Sequence, residues 1–219
     1  MKTKDFAALG KILLPKMPGF ASKGMLIFAH PIGHVIRGIH FEGSSFDQKS
    51  IYANVFFQPL CVPCNHLHFT LGFRLRNMDG IDGWSSDEPD LIEKMSESIA
   101  IKAMPFLDDV ATLRGAASAA EAMQSTNPHV LEAAAYCHVL SDDLEAALSS
   151  LDALGRSVDL TVAWQAEIAG RANLVRELVT SDPGGARKQL LEWEAQTAQN
   201  VGLGAFWSRQ EQGITVTHT

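Results

Sequence analysis

The 219-residue chain is 46% hydrophobic and 20% charged, with a formal net charge of −7 at pH 7. This composition is ordinary for a soluble globular protein, and it supplies enough apolar residues for a sizeable core. No apolar run approaches the roughly 20 residues that a membrane-spanning helix needs. The N-terminal stretch has no small-residue cleavage site typical of a signal peptide, so we expect a cytoplasmic protein without a membrane partner.

The first part of the chain predicts one helix followed by antiparallel strands. Thr3 can cap a helix that carries Phe6, Leu9 and Leu13 on one side and ends near Pro15. Segments rich in β-branched and aromatic residues follow, divided by Gly, Pro, Asn and Ser, and they cover residues 24–30, 34–41, 50–57 and 66–75. The connections are too short for crossover helices, which makes the strand pairing antiparallel.

The composition changes after residue 83, where we place a module boundary. Residues 1–83 have a mild excess of basic side chains without the clustered stripe of a nucleic-acid-binding face, so we expect no nucleic-acid partner. Residues 84–219 are strongly acidic and predict helices over 88–104, 115–125, 128–140, 143–154, about 158–180 and 183–201.

The predicted fold class is therefore α+β. An N-terminal helix and an antiparallel sheet of about four strands form the first module, and the second module is all-helical. Because the apolar face of the sheet needs a cover, the two modules can share one core.

The stretch CVPCNHLHF, residues 61–69, places two cysteines and two histidines within eight positions. Cys61 and Cys64 have the spacing of a metal knuckle, and His66 and His68 share one face if the stretch is a strand. The odd number of cysteines argues against a disulfide framework, so the thiols are expected to be reduced. Zinc bound by these four residues is one hypothesis, although structural zinc sites usually draw a second ligand pair from farther along the chain. No other cofactor is predicted.

Polar residues of the predicted strands form a second candidate site. Alternation in residues 66–75 places His66, His68 and Arg74 on the polar face, and His40 can join them from a neighbouring strand. A cleft between sheet and helices lined by these four side chains would bind a small ligand.

No motif in the sequence specifies a reaction. The Gly-x-Ser-x-Gly elbow of hydrolases is absent, and no glycine-rich loop leads into a helix. We therefore predict no catalytic residue and favour a protein that is not an enzyme.

Two resemblances bear on function. EAAAYCHVLSDDLEAALSSLDAL, residues 132–154, is similar to a tetratricopeptide-type helical hairpin. The order KILLPKMPGFASKG (11–24), FFQPLCVPCNHLHFTLGFRL (56–75) and AMPFLDDVATL (103–113) resembles a group of uncharacterised bacterial proteins, some of which are regarded as immunity proteins against toxins. This resemblance implies a non-enzymatic module that binds an unidentified protein partner, and it implies no active-site residues.

Three functional hypotheses therefore stand side by side. The first is a protein-binding module of the immunity-like kind. The second is a metal-binding protein or small metalloenzyme that uses Cys61, Cys64, His66 and His68. The third is a small-ligand-binding protein with a pocket between sheet and helices.

Overall fold

An antiparallel sheet forms most of the first part of the protein. The structure is a computed structural model that describes residues 3–208. The strands are β1 Phe20–Lys23, β2 Leu26–Ala29, β3 Val35–Gly43, β4 Ser50–Pro59, β5 Gly72–Arg74 and β6 Trp84–Ser85. Their order is β1-β2-β3-β4-β5, and β6 pairs with the other end of β4. Every pairing between these strands is antiparallel, as predicted.

One helix precedes the sheet and the others follow it, which confirms the predicted α+β fold. The helices are α1 Thr3–Leu13, α2 Leu91–Ser98, α3 Met104–Asp109, α4 Leu113–Ala122, α5 Pro128–Leu140, α6 Leu144–Ser157, α7 Ala163–Ser181 and α8 Pro183–Asn200. The chain stays helical from α2 into α3 through a π-helical segment, Ile99–Ala103, and Pro105 is the second residue of α3. No helix within residues 3–208 is long and apolar enough to cross a membrane.

Both faces of the sheet are buried over much of its area. Ile39 and Val55 belong to a cluster with α1 and with helices α2 and α3. On the opposite face, Ile36 and Phe56 pack with Ala198 of α8 and with the chain that follows it. Because each face has its own cover, β2 is buried along its whole length.

Helix α5 is the centre of the helical part. It is buried around nearly its whole circumference, and α4, α6, α7 and α8 all contact it. The same hydrophobic cluster includes Val35, Phe57 and Leu71 from the sheet side. Side chains from both sides of residue 83 therefore share this core.

The strand predicted over residues 66–75 is mostly wrong, because only Gly72–Arg74 is a strand. The chain from Leu60 to Leu71, which we call the crossing segment, instead passes from the end of β4 to the start of β5. The buried Gln58 side chain accepts a hydrogen bond from the backbone N–H of His68 at 2.9 Å, so this N–H bonds to a side chain instead of to a strand. Phe69 stacks on His40 with ring centroids 4.6 Å apart.

Substitution of two glycines tests the packing between β2 and β3 and, separately, the packing around α6. A β-carbon on Gly38 of β3 would collide with the backbone carbonyl of Ile27, whereas one on Gly155 of α6 would meet no atom within 4 Å. We expect Gly38→Ala to lower the free energy of unfolding by about 1–3 kcal/mol through overpacking. Gly155→Ala should raise it by about 0.5–1 kcal/mol, because alanine restricts the unfolded chain and favours a helix.

Urea denaturation followed by circular dichroism measures both changes. Equal effects of the two substitutions would contradict the close approach of β2 and β3 at Gly38.

Candidate functional site

A small pocket lies between the end of β4, the crossing segment and α5. Its volume is about 40 Å³, room for a few water-sized groups. Apolar side chains form most of the wall, and the polar residues that line it are Gln58, Cys64, His68, Thr70 and His129. We call this cavity the histidine pocket.

Gln58 holds the crossing segment in place beside the pocket. Its Nε2 donates a hydrogen bond to the Cys64 Sγ at 2.6 Å, while its Oε1 accepts from the His68 N–H. Asn200 of α8 donates to the Asn65 side chain at 3.0 Å. These bonds come from β4 and α8, which explains why an irregular segment has one defined course here.

Four aromatic rings form a row from the crossing segment to α7. The ring centroids of His66 and His68 are 4.3 Å apart, and those of His68 and His129 are 5.3 Å apart. His129 then stacks on Trp164 at 5.0 Å with an interplanar angle of 6°. The two middle rings line the pocket, and Trp164 is 44% exposed.

The pocket is electrically neutral at neutral pH. Burial lowers the pKa of His68, and the nearby His66 lowers it further. Burial also lowers the pKa of His129, with added repulsion from His68 and Arg171. Burial raises the pKa of the Cys64 thiol to about 11, which keeps the sulfur protonated and a poor nucleophile.

A buried ion pair lies next to the pocket. Glu132 of α5 has no exposed side-chain surface, and its two carboxylate oxygens accept from Arg171 Nε at 3.0 Å and Nη2 at 3.1 Å. Burial raises the pKa of Glu132, whereas the guanidinium opposes this shift. Both charges affect the pKa of the Cys64 thiol, so the pair lies close to the part of the pocket wall that Cys64 forms.

The two cysteines of the predicted metal site have different neighbours. Cys61 is fully buried, and a hydrogen bond with Cys137 together with burial raises its thiol pKa well above the ordinary value. Cys64 instead bonds to Gln58. Among residues 3–208, no group of three or more His, Cys, Asp or Glu side chains is placed to hold a metal ion. The zinc hypothesis therefore stays a prediction.

The four residues of the predicted ligand site fall into two groups. His66 and His68 belong to the row of rings, whereas His40 and Arg74 lie on one face of the sheet, each opposite Asn54 of β4. Arg74 pairs with Glu42 at 2.6 Å and lies over the Tyr52 ring at 4.5 Å. Burial lowers the pKa of His40, while Glu42 opposes the shift.

Several residues of the site could not be assigned from the sequence. His129 and Trp164 come from helices that are distant in the chain, and only packing brings them to His68. One signal was available: Glu132 is the one acidic residue in the predicted helix PHVLEAAAYCHVL. A carboxylate in so apolar a helix indicates a buried partner, here Arg171.

The chain matches no protein-family model, no curated protein and no solved structure. The resemblances to tetratricopeptide-type hairpins and to immunity-like bacterial proteins therefore stay predictions, and the geometry above is the basis for a functional proposal.

Replacing the cation of the buried pair tests this arrangement. We expect Arg171→Met to lower the free energy of unfolding by about 3 kcal/mol at neutral pH, because Glu132 is left charged without a partner. The raised pKa of Glu132 sets the sign of the pH dependence. The loss should shrink as the pH falls through that folded-state pKa, because the protonated carboxyl needs no partner.

Arg176→Met is the matched control on the same helix. Its partner Asp152 is 50% exposed, so the loss should stay below about 1 kcal/mol. Urea unfolding across the acid and neutral range measures both variants, and equal losses would contradict a buried pair.

Proposed function

We propose that the protein binds a small uncharged ligand through the histidine pocket. The observation that carries this proposal is the convergence of His68 and His129 on a cavity whose wall is mostly apolar. Small-molecule sites typically combine apolar walls with a few convergent polar groups whose pKa values are perturbed.

The size of the pocket indicates how a ligand would lie. A cavity of about 40 Å³ accepts only a ring edge or a small polar group. The rest of the ligand would extend along the row of rings toward the exposed Trp164. We infer a planar heteroaromatic compound, because flat rings stack on imidazole and indole surfaces.

The charge state of the pocket favours an uncharged ligand. A neutral imidazole offers one N–H donor and one nitrogen acceptor, so His68 and His129 can pair with a ligand that carries both functions. The protonated Cys64 thiol gives no support to covalent attachment.

A protein partner is the second candidate. Trp164 is 44% exposed and has one face fixed against His129. Rigid aromatic rings of this kind anchor many protein interfaces. Under this second hypothesis, an aromatic side chain of the partner protein occupies the position of the small ligand.

Titration with indole and with benzimidazole tests the ligand proposal. We expect saturable shifts of the His68 and His129 ring resonances in NMR spectra. His129→Ala should weaken binding about tenfold, since both stacking and a hydrogen bond are lost.

His40→Ala is the matched control, because His40 stacks on Phe69 outside the pocket. The affinity of the His40→Ala protein for indole and for benzimidazole should equal that of the wild type. The proposal is wrong if neither probe shifts these resonances, or if both variants lose affinity equally.

A further inference from the structure

We propose that the protein has a second, separate binding site for a small organic anion. A cleft of about 480 Å³ opens between the chain that leads into β3, the start of α4 and the turn between α5 and α6. It shares no lining residue with the histidine pocket. Its volume falls within the usual range of about 300–1,000 Å³ for ligand pockets.

The charged side chains that line this cleft are basic. They are Arg37 and Arg114, with His34 beside them, and among the residues that the structure describes no aspartate or glutamate lines the cleft. Arg187 adds a further positive charge nearby, because its Nη1 donates to the Leu140 carbonyl of the rim at 3.1 Å. Several cations around one concave surface raise the local concentration of anions.

The nearby carboxylates only partly offset this charge. Glu194 is buried and accepts from His34 Nδ1 at 2.7 Å and from Trp207 Nε1 at 3.1 Å, so its oxygens already have partners on the protein. Asp108 lies 3.4 Å from Arg37 and is 68% exposed, so water screens its charge.

Both arginines have donors available for a ligand. Nη1 of Arg37 donates to the Leu107 carbonyl at 2.9 Å, which leaves other N–H groups of the guanidinium free to point elsewhere. Arg114 is exposed, and within residues 3–208 it makes no ion pair. The start of α4 adds the partial positive charge of a helix N-terminus on the same side.

These features define the class of ligand. A guanidinium binds carboxylate and phosphate groups through two parallel hydrogen bonds. Two arginines on one cleft fit a molecule with two or more such groups, and the volume leaves room for a carbon skeleton between them. The inferred ligand is a small di- or tricarboxylate or a phosphorylated metabolite.

Isothermal titration with citrate and with fructose 1,6-bisphosphate at low ionic strength tests the inference. We expect saturable binding of at least one probe with a Kd below about 1 mM. Arg114→Gln should weaken that binding about tenfold without loss of folding, because this exposed side chain makes no ion pair within residues 3–208. Arg156→Gln, at the end of α6 and outside the cleft, is the matched control and should bind as the wild type does.

The two probes separate the classes of anion. Binding of citrate alone assigns a carboxylate ligand, binding of the bisphosphate alone assigns a phosphorylated one, and binding of both assigns recognition by charge. Absence of binding for both probes overturns the inference, and so does an equal loss of affinity in Arg114→Gln and Arg156→Gln. Because the histidine pocket is intact in both variants, these outcomes are independent of the proposed function.

Discussion

The ion pair between Glu132 and Arg171 is the interaction on which the site depends most. A carboxylate without exposed surface is tolerated in α5 only because a guanidinium on α7 meets both of its oxygens. This requirement fixes α7 against α5, and the fixed crossing brings Trp164 onto the His129 ring. The charge of Arg171 also lowers the pKa of His129. Burial is the main reason that the pocket is neutral, and the Arg171 charge adds to its effect on His129.

Gln58 of β4 has the corresponding role for the crossing segment. Its carboxamide uses its donor on Cys64 and its acceptor on the backbone of His68, so it fixes the crossing segment and offers little to a ligand. The imidazoles remain as the groups that can bind. The basic cleft differs because its arginines retain N–H groups for an external anion. The two cavities therefore suit ligands of opposite character, one uncharged and the other anionic.

Elements fixed by interactions between neighbouring residues could be predicted from the sequence, whereas those fixed by tertiary contacts could not. The bounds of α5 could be predicted because the signals are local: Asn127 caps the helix, accepting from the His129 N–H, and Pro128 opens it. The course of the crossing segment could not be predicted. Its alternating pattern indicates a strand, but Gln58 and Asn200 provide competing hydrogen bonds, and Asn200 is 135 residues away from Asn65. The contact between His68 of the crossing segment and His129 of α5 depends on the same kind of tertiary contact.

The most direct test of the account is an NMR pH titration of the histidine rings, assigned with the His68→Gln and His129→Gln variants. The account predicts that His68 and His129 both titrate below the ordinary value of 6.5, because burial and neighbouring positive charge disfavour their protonated forms. Titration of either ring at or above that value would contradict it, because the pocket would then carry positive charge near neutral pH.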